Sequence, residues 1–77
     1  MTYSIRDMVL ELEKAAVGGY DAHKISRSAF KIYQDHGLEL VGSMDRILLT
    51  LMAMDEGPEF EMSESEFNRF ISEIKSI

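Results

Sequence analysis

Ser43-Met44-Asp45-Arg46-Ile47-Leu48-Leu49-Thr50-Leu51-Met52-Ala53-Met54 is the stretch that decides the fold class. Met44, Ile47, Leu48, Leu51 and Met52 recur at i, i+3, i+4, i+7 and i+8, the spacing that puts side chains on one face of an α-helix. Leu49 and Met54 widen the apolar arc. The spacing therefore predicts a helix from Leu38 or Ser43 through Met54, central and more buried than its neighbours. Gly57-Pro58 stops it and starts a turn, because proline lacks an amide hydrogen and clashes with a preceding helical turn.

On the C-terminal side, Ser63-Glu64-Ser65-Glu66 reads as a capping box, followed by Phe67, Phe70, Ile71 and Ile74 on one helical face. Early acids and the late Lys75 suit the two ends of that helix's dipole. On the N-terminal side, Gly37 closes a helix that starts near Asp21 or Ser26. Its expected buried stripe is Ile25, Ala29, Phe30, Ile32 and Tyr33, with Lys24, Arg27 and Lys31 as a basic ridge opposite. A first helix is capped by Ser4 with Asp7, carries Ile5, Met8, Val9, Leu12, Ala15 and Ala16 at helical spacing, and ends at Gly18-Gly19. No strand pattern competes, and short connections favour antiparallel neighbours. The expectation is all-α: a small antiparallel four-helix bundle, residues 1–77 forming one helical domain.

Composition narrows the function classes. Seventy-seven residues with 45% hydrophobic and 29% charged side chains suit a folded domain near the lower size limit for a core of its own. There is no cysteine, hence no disulfide framework and no thiol chemistry. The start of the chain is interrupted by Arg6, Asp7, Glu11 and Glu13, which argues against a signal peptide. The longest apolar run, Ile47 to Ala53, is broken by Thr50 and falls far short of a membrane span. A cytoplasmic protein without membrane contact is expected. The net charge of -6 opposes direct nucleic-acid binding, which needs clustered Lys and Arg.

That charge sits in one place. Asp55 to Glu66, DEGPEFEMSESE, holds six acids and no base, and the remaining eight acids balance the eight Lys and Arg residues. A charge block costs self-repulsion, so it serves either solubility or a basic partner. Glu64 and Glu66 have capping and dipole roles. Asp55, Glu56, Glu59 and Glu61 have none, and Phe60 stands among them as an anchor for a partner or, with Met62, as an apolar pin holding the loop to the bundle. The partner-binding set expected from the residues is Asp55, Glu56, Glu59, Phe60 and Glu61.

Other chemistry reads weakly. A twelve-residue calcium loop from Asp55 fails at its third position, Gly57, and at its sixth, where Phe60 replaces the required glycine. His23 and His36 are thirteen residues apart without a metal-ligand pattern and are expected at the surface near helix ends. Ser26, Ser28, Ser43, Ser63 and Ser65 fall mostly at predicted helix starts, so capping outranks nucleophilic roles. No catalytic residue, metal site or cofactor is expected, and a small bundle leaves little room for an enclosed pocket.

The order of these pieces resembles a known group. A Leu- and Glu-rich first helix leads to KISRSAFKIY, a helix with an aromatic four residues after a small polar one. SMDRILLTLMAMD, an acidic EFEMSE loop and an amphipathic closing helix follow. From Met8 to Ile74 this is similar to small immunity proteins of the colicin-D-like type and of contact-dependent inhibition systems. The resemblance implies a compact antiparallel bundle whose acidic face covers the basic substrate groove of a nuclease toxin. It places that face on Asp55, Glu56, Glu59, Glu61 and Glu64, with Phe60 as anchor, and would extend it to Asp45 on the third helix. Two other functions fit the residues: a regulatory adaptor, of phage type, that blocks a nucleic-acid-binding protein through the same acids, and a self-associating bundle. In the second, Leu40, Val41, Leu49 and Met54 are exposed in the monomer and buried in a homodimer.

Overall fold

The computed structural model describes residues 3–40 and 42–76. They form α1 (Ile5–Ala15), α2 (Ala22–His36), α3 (Gly42–Met52) and α4 (Glu64–Lys75), with two 3₁₀ turns, Ala53–Glu56 and Pro58–Phe60, between α3 and α4. The described residues contain no strand, so the chain is all-α.

Each helix start has a local cause. The Asp7 amide donates to the Ser4 hydroxyl at 3.1 Å while the Ser4 amide donates to the Asp7 carboxylate at 3.1 Å. Ser63 and Glu66 repeat the exchange at the start of α4, at 2.8 and 3.2 Å. In both, two amides left without helical partners are satisfied at once. Asp21 caps α2 by accepting from the His23 amide at 3.0 Å. Gly18 and Gly19 have φ of 90° and 132°, the left-handed region that glycine enters without a steric penalty, and they turn the chain out of α1.

Met8, Leu12, Ile25, Met44, Leu48, Leu51 and Met54 are fully buried, and Phe67, Ile71 and Ile74 close the core from α4. One hydrophobic cluster thus draws on all four helices. The pivot is α2, which packs on α1, α3 and the first 3₁₀ turn, whereas α4 packs on α1. This corrects the expectation that the helix after Gly42 is central. Ala22, Ser26 and Ala29 on the inner face of α2 are small and buried, which lets neighbouring helices approach closely.

The same close approach corrects two side chains. Phe30 lies beside Ala29 on the rim of that narrow face and is 50% exposed rather than buried. Ser26 is not a cap; it is buried inside α2, where its hydroxyl donates to the Met52 carbonyl at 3.1 Å. That carbonyl belongs to the last turn of α3, where carbonyls lack helical partners. Helix α3 itself ends at Met52 and tightens into a 3₁₀ turn, which carries Met54 inward to 1% exposure. Met54 is therefore core, not part of an exposed self-association patch. Leu40 is half-buried against the core, Leu49 is exposed, and Val41 lies outside the described residues. At the other end of α2, His36 stacks on Tyr3 with ring centroids 3.8 Å apart and pairs with Glu39 at 3.0 Å.

Candidate functional site

The acidic segment is anchored at its back and open at its front. Tyr20, in the connection between α1 and α2, donates its hydroxyl to the Met62 carbonyl at 2.7 Å. The same oxygen lies 3.7 Å from the Met54 sulfur, which accepts from the Met62 amide at 3.4 Å. The Tyr20 ring packs against Phe67 with centroids 5.2 Å apart. Burial, followed by the charges of Glu61, Glu66 and Asp21, pushes the Tyr20 phenol above its ordinary value, so it stays a donor. Met62 is half-buried while Phe60 is 51% exposed. The apolar pin is Met62, and Phe60 faces outward.

A second anchor ties the first 3₁₀ turn to α2: His23 Nδ1 lies 2.7 Å from Asp55 Oδ1, both side chains being exposed. The hydrogen bond to Asp55, then the Asp55 charge, with smaller contributions from Glu61 and Asp21, lifts the His23 imidazolium above its ordinary value. His23 is at the surface near a helix start, as its position in the sequence suggested. Nothing in the sequence signalled its pairing with Asp55, which lies 32 residues away.

Between the anchors the chain makes one tight turn, the Phe60 amide donating to Gly57 at 3.1 Å and the Glu61 amide to Pro58 at 3.2 Å. Asp55, Glu56, Glu59, Phe60 and Glu61 are all exposed along it, and Glu64 continues the exposed acids into the first turn of α4. Glu66 is committed locally: the Ser63 amide, and then its hydroxyl, holds that carboxyl below the ordinary value. Asp45 is in the first turn of α3, the length of that helix away from the segment. It does not join the face.

A neighbouring feature was missed. Arg27 and Phe30 of α2, with Leu49 and Met52 of α3, line an open groove that ends at Asp55 and Glu56. Phe30 and Leu49 stand in it at 50% and 47% exposure. The signal in the sequence was the placement of Phe30 three residues from Arg27, on the flank of the basic ridge rather than the apolar stripe.

The arrangement offers fixed negative charge and outward apolar side chains on a braced backbone, which suits recognition. Among the described residues no three His, Asp or Glu side chains converge as metal ligands, and no helix is long and apolar enough to cross a membrane. No family model, curated protein or solved structure matches this chain.

Proposed function

We propose that this chain is an interaction protein that captures and inhibits a basic partner, and that the partner is a nuclease toxin whose substrate groove the acidic face covers. The observation that carries the reading is the outward Phe60 between Glu59 and Glu61 on a backbone held from behind by Tyr20 and Met54. An exposed aromatic on a preorganised turn loses little conformational freedom when it is buried by a partner. Carboxylates around it attract a basic surface and speed encounter, which an inhibitor of a toxic enzyme requires. Asp55, Glu56, Glu59, Glu61 and Glu64 supply that charge. The bundle is proposed to be antiparallel and to work in the cytoplasm, where a nuclease would do its damage.

The test is capture at low salt from the native host, comparing the wild type with Glu59→Lys/Glu61→Lys. The purified captured protein is then assayed for nuclease activity. A basic nuclease retained by the wild type, silenced by it and lost from the variant supports the reading. Retention of the same protein by both forms removes the acidic face from the site. A captured basic protein without nuclease activity, blocked from nucleic acid, turns the reading to the regulatory adaptor.

A further inference from the structure

We infer that the groove between α2 and α3 is a self-complementary surface that binds a second copy of this chain, α2 of each copy lying on α3 of the other. The two bonds that join these helices within one copy set their register. His23 pairs with Asp55 and Ser26 with Met52, so three residues forward along α2 match three residues back along α3. One further turn brings Phe30 level with Leu49, both about half exposed in the groove.

A two-fold axis running along the groove exchanges the two walls while keeping levels. It sets Phe30 of each copy against Leu49 of the other. An isologous contact of this kind needs one patch to be its own complement. The charges meet the same condition. Arg27 rises from the α2 wall four residues after His23, and so about 6 Å along the axis from the level of Asp55. Glu56 stands at the end of the α3 wall. Glu56 is one 3₁₀ residue, about 2 Å, beyond Asp55, and the extended arginine and glutamate side chains together span the combined offset, so the axis brings each Arg27 to the other copy's Glu56. Asp55 is held by His23, whereas neither Arg27 nor Glu56 has an ion-pair partner among the described residues.

The other apolar patches lack this property. Leu10 is exposed beside Glu13 and Lys75, but those two already pair with each other at 2.8 Å. Val17 stands in the α1–α2 connection, and Leu38 lines a groove at the end of α2 whose His36 and Glu39 already pair with each other at 3.0 Å. A dimer of ordinary size covers about 800 Å² per copy, a modest part of the 5202 Å² surface here. The pairing also completes a small domain whose own core is limited.

Sedimentation velocity from about 1 µM to about 1 mM tests this in the absence of any partner. The expected result is a concentration-dependent rise to twice the monomer mass. Phe30→Ser and Leu49→Gln, at exposed positions that the acidic-face reading does not use, should each weaken it about a hundredfold with unchanged helicity. Arg27→Glu should weaken it about tenfold, and adding Glu56→Arg should restore it. A wild type that stays monomeric throughout overturns the inference. So does a dimer indifferent to Phe30 and Leu49, or a charge swap that fails to restore. If a variant loses its helices, dilution of the wild type with its amide resonances assigned decides: shifts confined to Arg27–Lys31 and Leu49–Glu56 support the contact, and shifts elsewhere overturn it. The outcome is independent of the capture experiment, because no toxin or basic protein is present.

Discussion

The Tyr20 hydroxyl donates to the Met62 carbonyl at 2.7 Å across 42 positions of sequence, and this bond ties the α1–α2 connection to the acidic segment just after Phe60 and Glu61. It holds the stretch on which Phe60 and the carboxylates are displayed. A partly buried phenol that satisfies a backbone carbonyl contributes about 1 kcal/mol net, and its removal leaves the carbonyl without a protein partner.

Tyr20→Phe keeps the ring against Phe67 and deletes only the donor. Stability measured by urea unfolding should fall by about 1 kcal/mol. Amide exchange should quicken at Met62 and Glu61 while the amides of α2 keep their protection, since local opening follows the loss of a local tether. Uniform loss of protection across the chain would show that the bond serves the core rather than the segment.

Met54 separates the core from the surface at the end of α3. Its side chain is 1% exposed and its sulfur faces both Tyr20 and the Met62 amide. Met54→Ala should cost about 2–5 kcal/mol through lost burial and the cavity left behind, a large share of what so small a domain possesses. Leu49→Ala, five residues earlier and exposed, should stay within about 0.5 kcal/mol at concentrations where the chain is monomeric. Thermal melts of the two variants at low concentration check the contrast. Equal losses would remove Met54 from its place under the acidic segment.

The local signals in the sequence were strong enough to set the helices. Ser4 with Asp7 and Ser63 with Glu66 form capping boxes as their spacing implied, and the Gly18-Gly19 pair takes left-handed φ where the first helix was expected to end. Periodicity found Met8, Leu12, Ile25, Leu48, Phe67 and Ile71 in the core. It erred where the answer depends on which helix lies next to which. Phe30 is expected in the α2 stripe, but it sits about 100° round the helix from Ala29, toward Arg27, and the neighbouring α3 leaves it half exposed in the groove. Met54 lies three residues after Leu51 and seven after Ile47, in phase with the buried stripe, and it stays buried although the chain tightens to 3₁₀ geometry after Met52. The acids of the candidate face were legible as a block in the sequence. Their bracing was not, because Tyr20 and His23 reach them from more than thirty positions away.

Gly19 has φ of 132° with open space around its missing side chain, so backbone conformation alone opposes a substitution there. Gly19→Ala should lower stability by about 1 kcal/mol or more through strain, without any clash. Gly42 is also surrounded by open space, but it lies within α3 and has no positive φ. Gly42→Ala should be neutral or stabilising by up to about 1 kcal/mol. Paired urea titrations of the two variants separate backbone strain from packing. A Gly19→Ala protein as stable as the wild type would contradict the left-handed turn.

His23 and Asp55 set a pH dependence whose sign follows from the direction of the shift. In the folded chain the hydrogen bond and charge of Asp55 lift His23 above its ordinary 6.5. Folding is therefore favoured by the pair in full below the unfolded value, while Asp55 remains ionised. The contribution fades as pH rises through the higher folded value, where the imidazolium loses its proton. In an NMR titration the His23 ring resonances should move with a midpoint above 6.5, and Asp55→Asn should bring that midpoint down. In thermal melts the wild type should exceed Asp55→Asn most near pH 5.5, with the gap closing toward pH 8. Both side chains are exposed, so the gap should also shrink in about 1 M salt, where charges a few ångströms apart at the surface are screened. A gap that widened with rising pH would mean that Asp55 stabilises the first 3₁₀ turn by some route other than its bond to protonated His23.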